Sequence, residues 1–185
     1  MCLRAALEAD SPYAVVLQDD TVVCKNFTPA LERIIEVYPD IPVCLFVSGN
    51  KTKTLRHYTN SMRAKWRYAP IWFQDYMPVV AVLWPRHKIE EFLEWSTDRK
   101  IKGLAEPYRS DDAVVGAWMK FTHQTVLATV PSLVQHPDDT LSVKWNAESK
   151  VPSGTGNKRR RAFWYIGDDD PLDLDWSRNL ASRHT

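Results

Sequence analysis

Residues 13–20 read Tyr-Ala-Val-Val-Leu-Gln-Asp-Asp, and no other stretch restricts the fold as tightly. Five apolar residues, including the β-branched Val15 and Val16, predict a strand buried on both faces. That strand ends abruptly in two adjacent carboxylates, Asp19 and Asp20. In open α/β sheets ligands bind outside the carboxyl ends of the strands. Oxygen ligands at such an edge suit a hard divalent ion, Mg²⁺ or Mn²⁺. Taken alone, the same pair also reads as the start of a solvated loop.

The flanking sequence supplies the other elements of an α/β fold. Leu3 and Leu7 stand one helical turn apart, so residues 3–9 predict the end of a helix that Ser11-Pro12 stops. Downstream, Thr28-Pro29 signals a helix start, with Thr28 as cap. Phe27, Leu31, Ile34, Ile35 and Tyr38 give that helix one apolar face. Residues 43–47 predict a second buried strand, and the strand–helix–strand unit implies parallel strands. Residues 48–67 are polar and basic without clean apolar periodicity, reading as a substrate flap, a loose surface helix or a solvated excursion. A short edge strand over 69–73 and a buried strand over 78–84 follow. Pro85 then leads a helix with Ile89, Phe92 and Leu93 as its stripe. Asp111-Asp112 opens a helix carrying Val114, Val115, Trp118 and Met119, and residues 125–130 predict a fourth strand before Val134-Gln135-His136.

Length and composition limit what can be built from these parts. The 185 residues suffice for one sizeable core and are short for two domains. A net charge of +1 gives the whole molecule no strong pull toward nucleic acid or membrane. The longest apolar stretch, Met77 to Pro85, is too short to span a bilayer. Cys2, Cys24 and Cys44 lack metal-ligand spacing and read as reduced, mostly buried thiols, and no signal peptide is visible. A cytoplasmic location follows as an expectation. From about Lys150 the character changes to a flexible stretch, a basic run (Lys158 to Arg161), an aromatic run (Phe163 to Tyr165) and an acidic run (Asp168 to Asp170). The expected organisation is a core over 1–150 and a tail over 151–185.

The ordered set of an acid pair after a buried strand, an acid pair opening a later helix, and a histidine after Val-Pro-Ser-Leu resembles the GT-A glycosyltransferases. The likeness is to their bacterial lipopolysaccharide-type branch, in which a helix enters a strand ending in Glu-Asp-Asp or Asp-x-Asp. It extends to about His136. The resemblance implies a partial GT-A, Rossmann-like fold, a mostly parallel sheet flanked by helices. It also implies transfer of a sugar from a nucleotide-sugar donor to a hydroxyl-bearing acceptor (glycan, protein or modified nucleic acid), with Mn²⁺ or Mg²⁺ stabilising the diphosphate leaving group. By resemblance Asp20 holds the metal with Asp19 beside it, and His136 matches a metal- or phosphate-contacting histidine. Gln18 stands where the family usually has a carboxylate near the donor ribose; an amide still hydrogen-bonds a hydroxyl but adds no charge.

Asp111 and Asp112 look like the motif that supplies the general base in inverting members. Asp112 is favoured, because Asp111 can be consumed as a helix cap. The bland reading is that both acids only cap the helix and complement its dipole. Arg159, Arg160 and Arg161 fit over a donor diphosphate, yet also fit nucleic-acid phosphates or plain solvation. Trp164 and Tyr165 either stack on a sugar or base or pin the tail to the core. Family members carry a nucleobase-binding strand–helix–strand segment upstream of the helix that starts here. A late start site, a partner chain completing the nucleotide pocket, and a scaffold that no longer catalyses transfer each account for its absence. The competing function is a non-catalytic binding or assembly protein whose basic tail holds a partner or nucleic acid. A two-metal nuclease or phosphatase ranks last, for want of clustered acids.

Overall fold

A computed structural model describes residues 3–19, 21–48, 52–72, 80–97, 111–136 and 161–178. The elements in chain order are α1 (Leu3–Ala6), β1 (Tyr13–Leu17), β2 (Val22–Val23), α2 (Phe27–Val37), β3 (Val43–Cys44), α3 (Thr52–Arg63), β4 (Tyr68–Pro70), β5 (Ala81–Pro85), α4 (Arg86–Thr97), α5 (Asp111–Thr122), β6 (Leu127–Thr129) and β7 (Val134–Gln135). A turn of 3₁₀-helix over Pro171–Asp173 follows.

The fold is mixed α/β, built on a five-stranded sheet of order β1-β5-β3-β6-β4 beside a two-stranded sheet of β2 and β7. The expectation of a mostly parallel sheet is corrected. β1–β5, β3–β5 and β4–β6 pair antiparallel, and β3–β6 is the parallel pair of the five-stranded sheet. The physical reason lies in β5, which runs back between β1 and β3. Two successive antiparallel pairings leave β1 and β3 pointing the same way, as a crossover through α2 requires, but separated by one strand. β6 is parallel to β3, so β1, β3 and β6 share a direction and one carboxyl edge.

Alternation along the strands assigns side chains to two layers. Ala14, Val16, Cys44, Val82, Trp84 and Ala128 join a cluster with residues of α1, α3, α4 and α5. Its centre is Trp118, fully buried, with its ring 5.7 Å from those of both Trp84 and Phe92. Tyr13, Val15, Val43, Leu83 and Leu127 face the other layer, formed by α2 and residues 162–176. Ile166 and Trp176 are buried there, so the described part of the expected tail is packed into the fold. Cys24 and Cys44 are buried free thiols, and burial pushes Cys24 up to about 11. Among the described residues no helix is long and apolar enough to cross a membrane.

Two helices begin or behave otherwise than expected. α2 starts at Phe27 with Asn26 in the capping position at φ 49°, rather than at a Thr28 cap. The Asn26 side chain makes no cap; its amide donates to Asp170 Oδ2 at 2.8 Å. Asp170 also accepts from the Leu172 backbone N–H at 3.0 Å and faces Lys25 at 3.6 Å. The Leu172 N–H, helped by Asn26 and Lys25, holds the Asp170 carboxyl below the ordinary carboxylate range. A depressed folded pKa contributes stability that is present above the unfolded value, about 3.9 for aspartate, and lost as pH falls through the folded value. Asp170→Asn is therefore expected to lower stability at neutral pH and to converge on the wild type at acid pH, flattening the acid limb of the stability–pH profile, measured by denaturant melts across that range. An unchanged acid limb in the variant rules this linkage out.

Residues 52–63, within the stretch read as a substrate flap, a loose surface helix or a solvated excursion, form α3, an amphipathic helix docked on the core rather than loose on the surface. Leu55, Tyr58 and Met62 pack into the first cluster, with Tyr58 fully buried.

Candidate functional site

The acid pair sits where β1 hands the chain to β2. Gln18 closes β1 by donating its backbone N–H to the Val80 carbonyl at 2.9 Å. Its own carbonyl accepts from the Thr21 hydroxyl at 2.8 Å, a clamp between the residue before Asp19 and the start of the segment leading into β2. A threonine hydroxyl spanning three residues in this way is a common local turn clamp. Gln18 and Asp19 are exposed at the carboxyl edge of the sheet. Asp20 lies outside the described residues.

Pairing between distant segments brings His136 to the same place. β2 and β7 are antiparallel, with Val22 opposite Gln135 and Val23 opposite Val134. The Cys24 N–H, bonded to the Leu133 carbonyl at 3.0 Å, continues this register. One step the other way, His136 falls opposite Thr21, the residue that follows Asp20. His136 is itself buried, at 3% exposure.

Gln135 then joins a third segment to the first two. Its side-chain oxygen accepts the His136 backbone N–H at 3.0 Å and the Ala162 backbone N–H at 2.8 Å. Ala162 follows Arg161, the last residue of the basic run. Beyond it the Phe163 N–H reaches the Val47 carbonyl at 2.7 Å, and the Ser132 N–H reaches the Trp164 carbonyl at 2.8 Å. The Ile166 N–H returns to the Ser132 carbonyl at 3.0 Å. Residues 162–166 are thus laid against residues 47–48 and Ser132, beyond the carboxyl ends of β3 and β6, as an irregular extra strand. Arg161 is exposed at its start. Arg159 and Arg160 lie outside the described residues. Trp164 and Phe163 are exposed at 37% and 45%, whereas Tyr165 packs against the second cluster.

Beneath this strand is a buried hydroxyl pair. Ser132 Oγ accepts the Val47 N–H at 3.2 Å and lies 3.4 Å from Tyr58 Oη, which donates to the Trp164 carbonyl at 3.2 Å. Burial raises the Tyr58 phenol above its ordinary value, so it stays a neutral donor at every physiological pH. Tyr58→Phe removes the bond to the Trp164 carbonyl, which the Ser132 N–H still satisfies, and also the hydroxyl facing the buried Ser132 Oγ, so the expected cost is about 1–3 kcal/mol. A shift of the denaturation midpoint read by tryptophan fluorescence checks this, and a loss several times larger breaks the account.

Asp111 and Asp112 occupy the first turn of α5. That helix packs against the sheet through Val115, Trp118 and Met119 and feeds β6 through four intervening residues. A helix returning through so short a connection to a strand it covers runs antiparallel to it. Twelve residues rise about 18 Å, so chain direction sets its first turn toward the carboxyl edge of β6, the edge that also carries Asp19.

No protein-family model, characterised protein or solved structure matches this chain. Among the described residues no group of three or more His, Cys, Asp and Glu side chains is arranged to hold a metal ion. Asp19 and His136 alone do not complete a divalent-ion site. Sequence reasoning missed Gln135, Thr21, Ser132 and Tyr58, the residues that bring these segments together. The signal for Tyr58 was present in its three- and four-residue spacing from Leu55 and Met62. Gln135 carries no such signal, because an amide that accepts from two distant backbones looks like any surface glutamine in a sequence.

Proposed function

We propose that this protein transfers a sugar from a nucleotide-sugar donor to an acceptor hydroxyl, at the carboxyl edge shared by β1, β3 and β6. The observation that carries the reading is the β2–β7 pairing, which sets the segment after the acid pair against the segment that ends in His136. Two segments named from the resemblance, around Asp19 and around His136, and the docked residues 161–166 are far apart in sequence and are linked through the β2–β7 pairing and Gln135.

In this reading Asp20 and His136, with Asp19 beside them, hold Mn²⁺ or Mg²⁺. The ion supplies neutralisation of the charge that develops on the departing diphosphate. The chain's own residues do the rest. Gln18 hydrogen-bonds a donor hydroxyl, and Arg161 with Arg159 and Arg160 spreads positive charge over the phosphate oxygens. Asp112 takes the acceptor hydroxyl proton as that oxygen attacks the anomeric carbon, with Asp111 left to cap α5. The finer fold assignment, a partial GT-A sheet, belongs to the same proposal. It is supported by the shared direction of β1, β3 and β6 and by the small second sheet that follows the acids.

The direct test is calorimetric titration with nucleoside diphosphates in the presence and absence of Mn²⁺, followed by donor hydrolysis without acceptor. Metal-dependent binding of one nucleotide supports the transfer reading. A folded sample that ignores manganese and all common sugar nucleotides overturns it and leaves the binding-protein alternative.

A further inference from the structure

The outer edge of the large sheet presents a self-complementary strand. β1 lies at one end of the strand order. Its ladder with β5 is extended at both ends by the Arg86 N–H on the Pro12 carbonyl and the Gln18 N–H on the Val80 carbonyl. Even-numbered residues of β1 therefore turn their backbone groups toward β5, and Tyr13, Val15 and Leu17 turn theirs outward. Tyr13 is already served by Ser11, whose hydroxyl donates to the Tyr13 carbonyl at 2.8 Å. That leaves the N–H and C=O of Val15 and Leu17 facing out, with no bond to another described residue.

Natural edges of this kind are guarded by charge, proline, a bulge or a covering segment. Residues 13–17 hold no charged residue and no proline, and Leu17 is 39% exposed. An open groove of about 500 Å³ runs beside the strand, lined by Ala6, Ala9 and residues 13–17. The two alanines leave it wide.

We propose that a second copy of this chain pairs along β1, antiparallel, about a two-fold axis at Val16. The argument for a second copy is the match of the strand to itself. With Val16 on the axis, Val15 of each copy faces Leu17 of the other, and both form narrow pairs that exchange N–H···O=C bonds. The outward groups left open are the ones this register fills, bond for bond. Side chains agree as well: Val15 meets Leu17 on one face and Val16 meets Val16 on the other, apolar against apolar with no like charges opposed. A two-fold operator makes the contact closed rather than propagating. The product is a continuous ten-strand sheet, two five-stranded sheets joined edge to edge, and it stands apart from the transfer reading.

Sedimentation velocity over a wide concentration range tests this on the full chain. The wild type is expected to move from a monomer to a dimer boundary as concentration rises. Val15→Pro removes an outward N–H that the β1–β5 ladder does not use, which an edge strand tolerates. It is expected to weaken association about thirtyfold, from two lost main-chain bonds per dimer, with an unchanged circular dichroism spectrum. Leu17→Lys, at an exposed side chain, serves if the proline variant folds poorly, and is expected to leave monomer. Val16→Cys in a Cys2→Ser background is expected to cross-link on mild oxidation, since opposed positions of this type bring Cα atoms to about 4.5 Å. Glu36→Cys, on the exposed face of α2, is not. A wild type that stays monomeric throughout, or a dimer that Val15→Pro and Leu17→Lys leave intact, overturns the proposal.

Discussion

Asp20→Ala is expected to abolish manganese-dependent nucleotide binding while leaving the fold intact. Loss of an outer partner of a metal ligand typically costs 10–100-fold in metal affinity, so removal of a ligand itself is expected to exceed about a hundredfold. The fold is expected to survive because the flanking residues are fastened independently, by the Thr21 hydroxyl on the Gln18 carbonyl and the Gln18 N–H on the Val80 carbonyl. Titration of Mn²⁺ in the presence of the nucleotide reads the effect, with thermal melting as the control. His136→Ala is a poorer probe, because that side chain is buried and its removal mixes packing with coordination. Nucleotide affinity that Asp20→Ala leaves within a few-fold of wild type would falsify the metal role of the acid pair.

Much of the architecture was legible where local pattern and burial agreed. The stripe of Ile89 and Phe92 in α4 and the Val115, Trp118 and Met119 face of α5 are dictated by period and are found packed in the core. The run before Asp19 forms β1 but lies half-buried at the sheet edge with Leu17 exposed, a correction to the strand expected to be buried on both faces. Strand pairing was not legible in the same way. The crossover through α2 fixes the direction of β3 relative to β1, yet nothing local says that β5 will slot between them. Sheet order is settled by which apolar faces find each other at long range, and β5, with all five residues buried, is the strand best suited to a central place. α3 was obscured by composition. Seven of the residues between 51 and 67 are basic or histidine, and that polarity hid a narrow stripe that needs only Leu55, Tyr58 and Met62 to dock.

The candidate site divides along the same line. Acids at a strand's end are visible in the sequence, although the pair alone reads equally as the start of a solvated loop. The joining of residues 161–166 to His136 is not, because it is made by backbone N–H groups that every residue carries. A single amide selects them.

That amide supplies the second large effect. Gln135→Leu keeps the approximate volume of the side chain and deletes the oxygen that accepts from His136 and Ala162. Two part-buried N–H groups then lose their partner, at about 1 to 1.5 kcal/mol each after allowance for partial exposure. Only the Ala162 share, about 1–1.5 kcal/mol, falls on the docking of residues 161–166, since His136 adjoins Gln135 in the chain and β7 keeps its ladder with β2 through backbone atoms alone. The expected result is local. Amide exchange at Ala162 and Phe163 accelerates by about 5- to 13-fold, while exchange in β5 and α5 is unchanged. Gln135→Glu retains an acceptor and is expected to hold exchange close to wild type. If residues 161–166 serve the site by bringing Arg161 beside His136, Gln135→Leu also weakens nucleotide binding without touching a metal ligand, and Gln135→Glu weakens it less. Faster exchange with unaltered nucleotide affinity would keep the docked strand and strip it of that role. Unaltered exchange in Gln135→Leu would show that the other backbone bonds, from Phe163, Trp164 and Ile166, suffice to hold the segment, and that the amide bridge adds nothing to them.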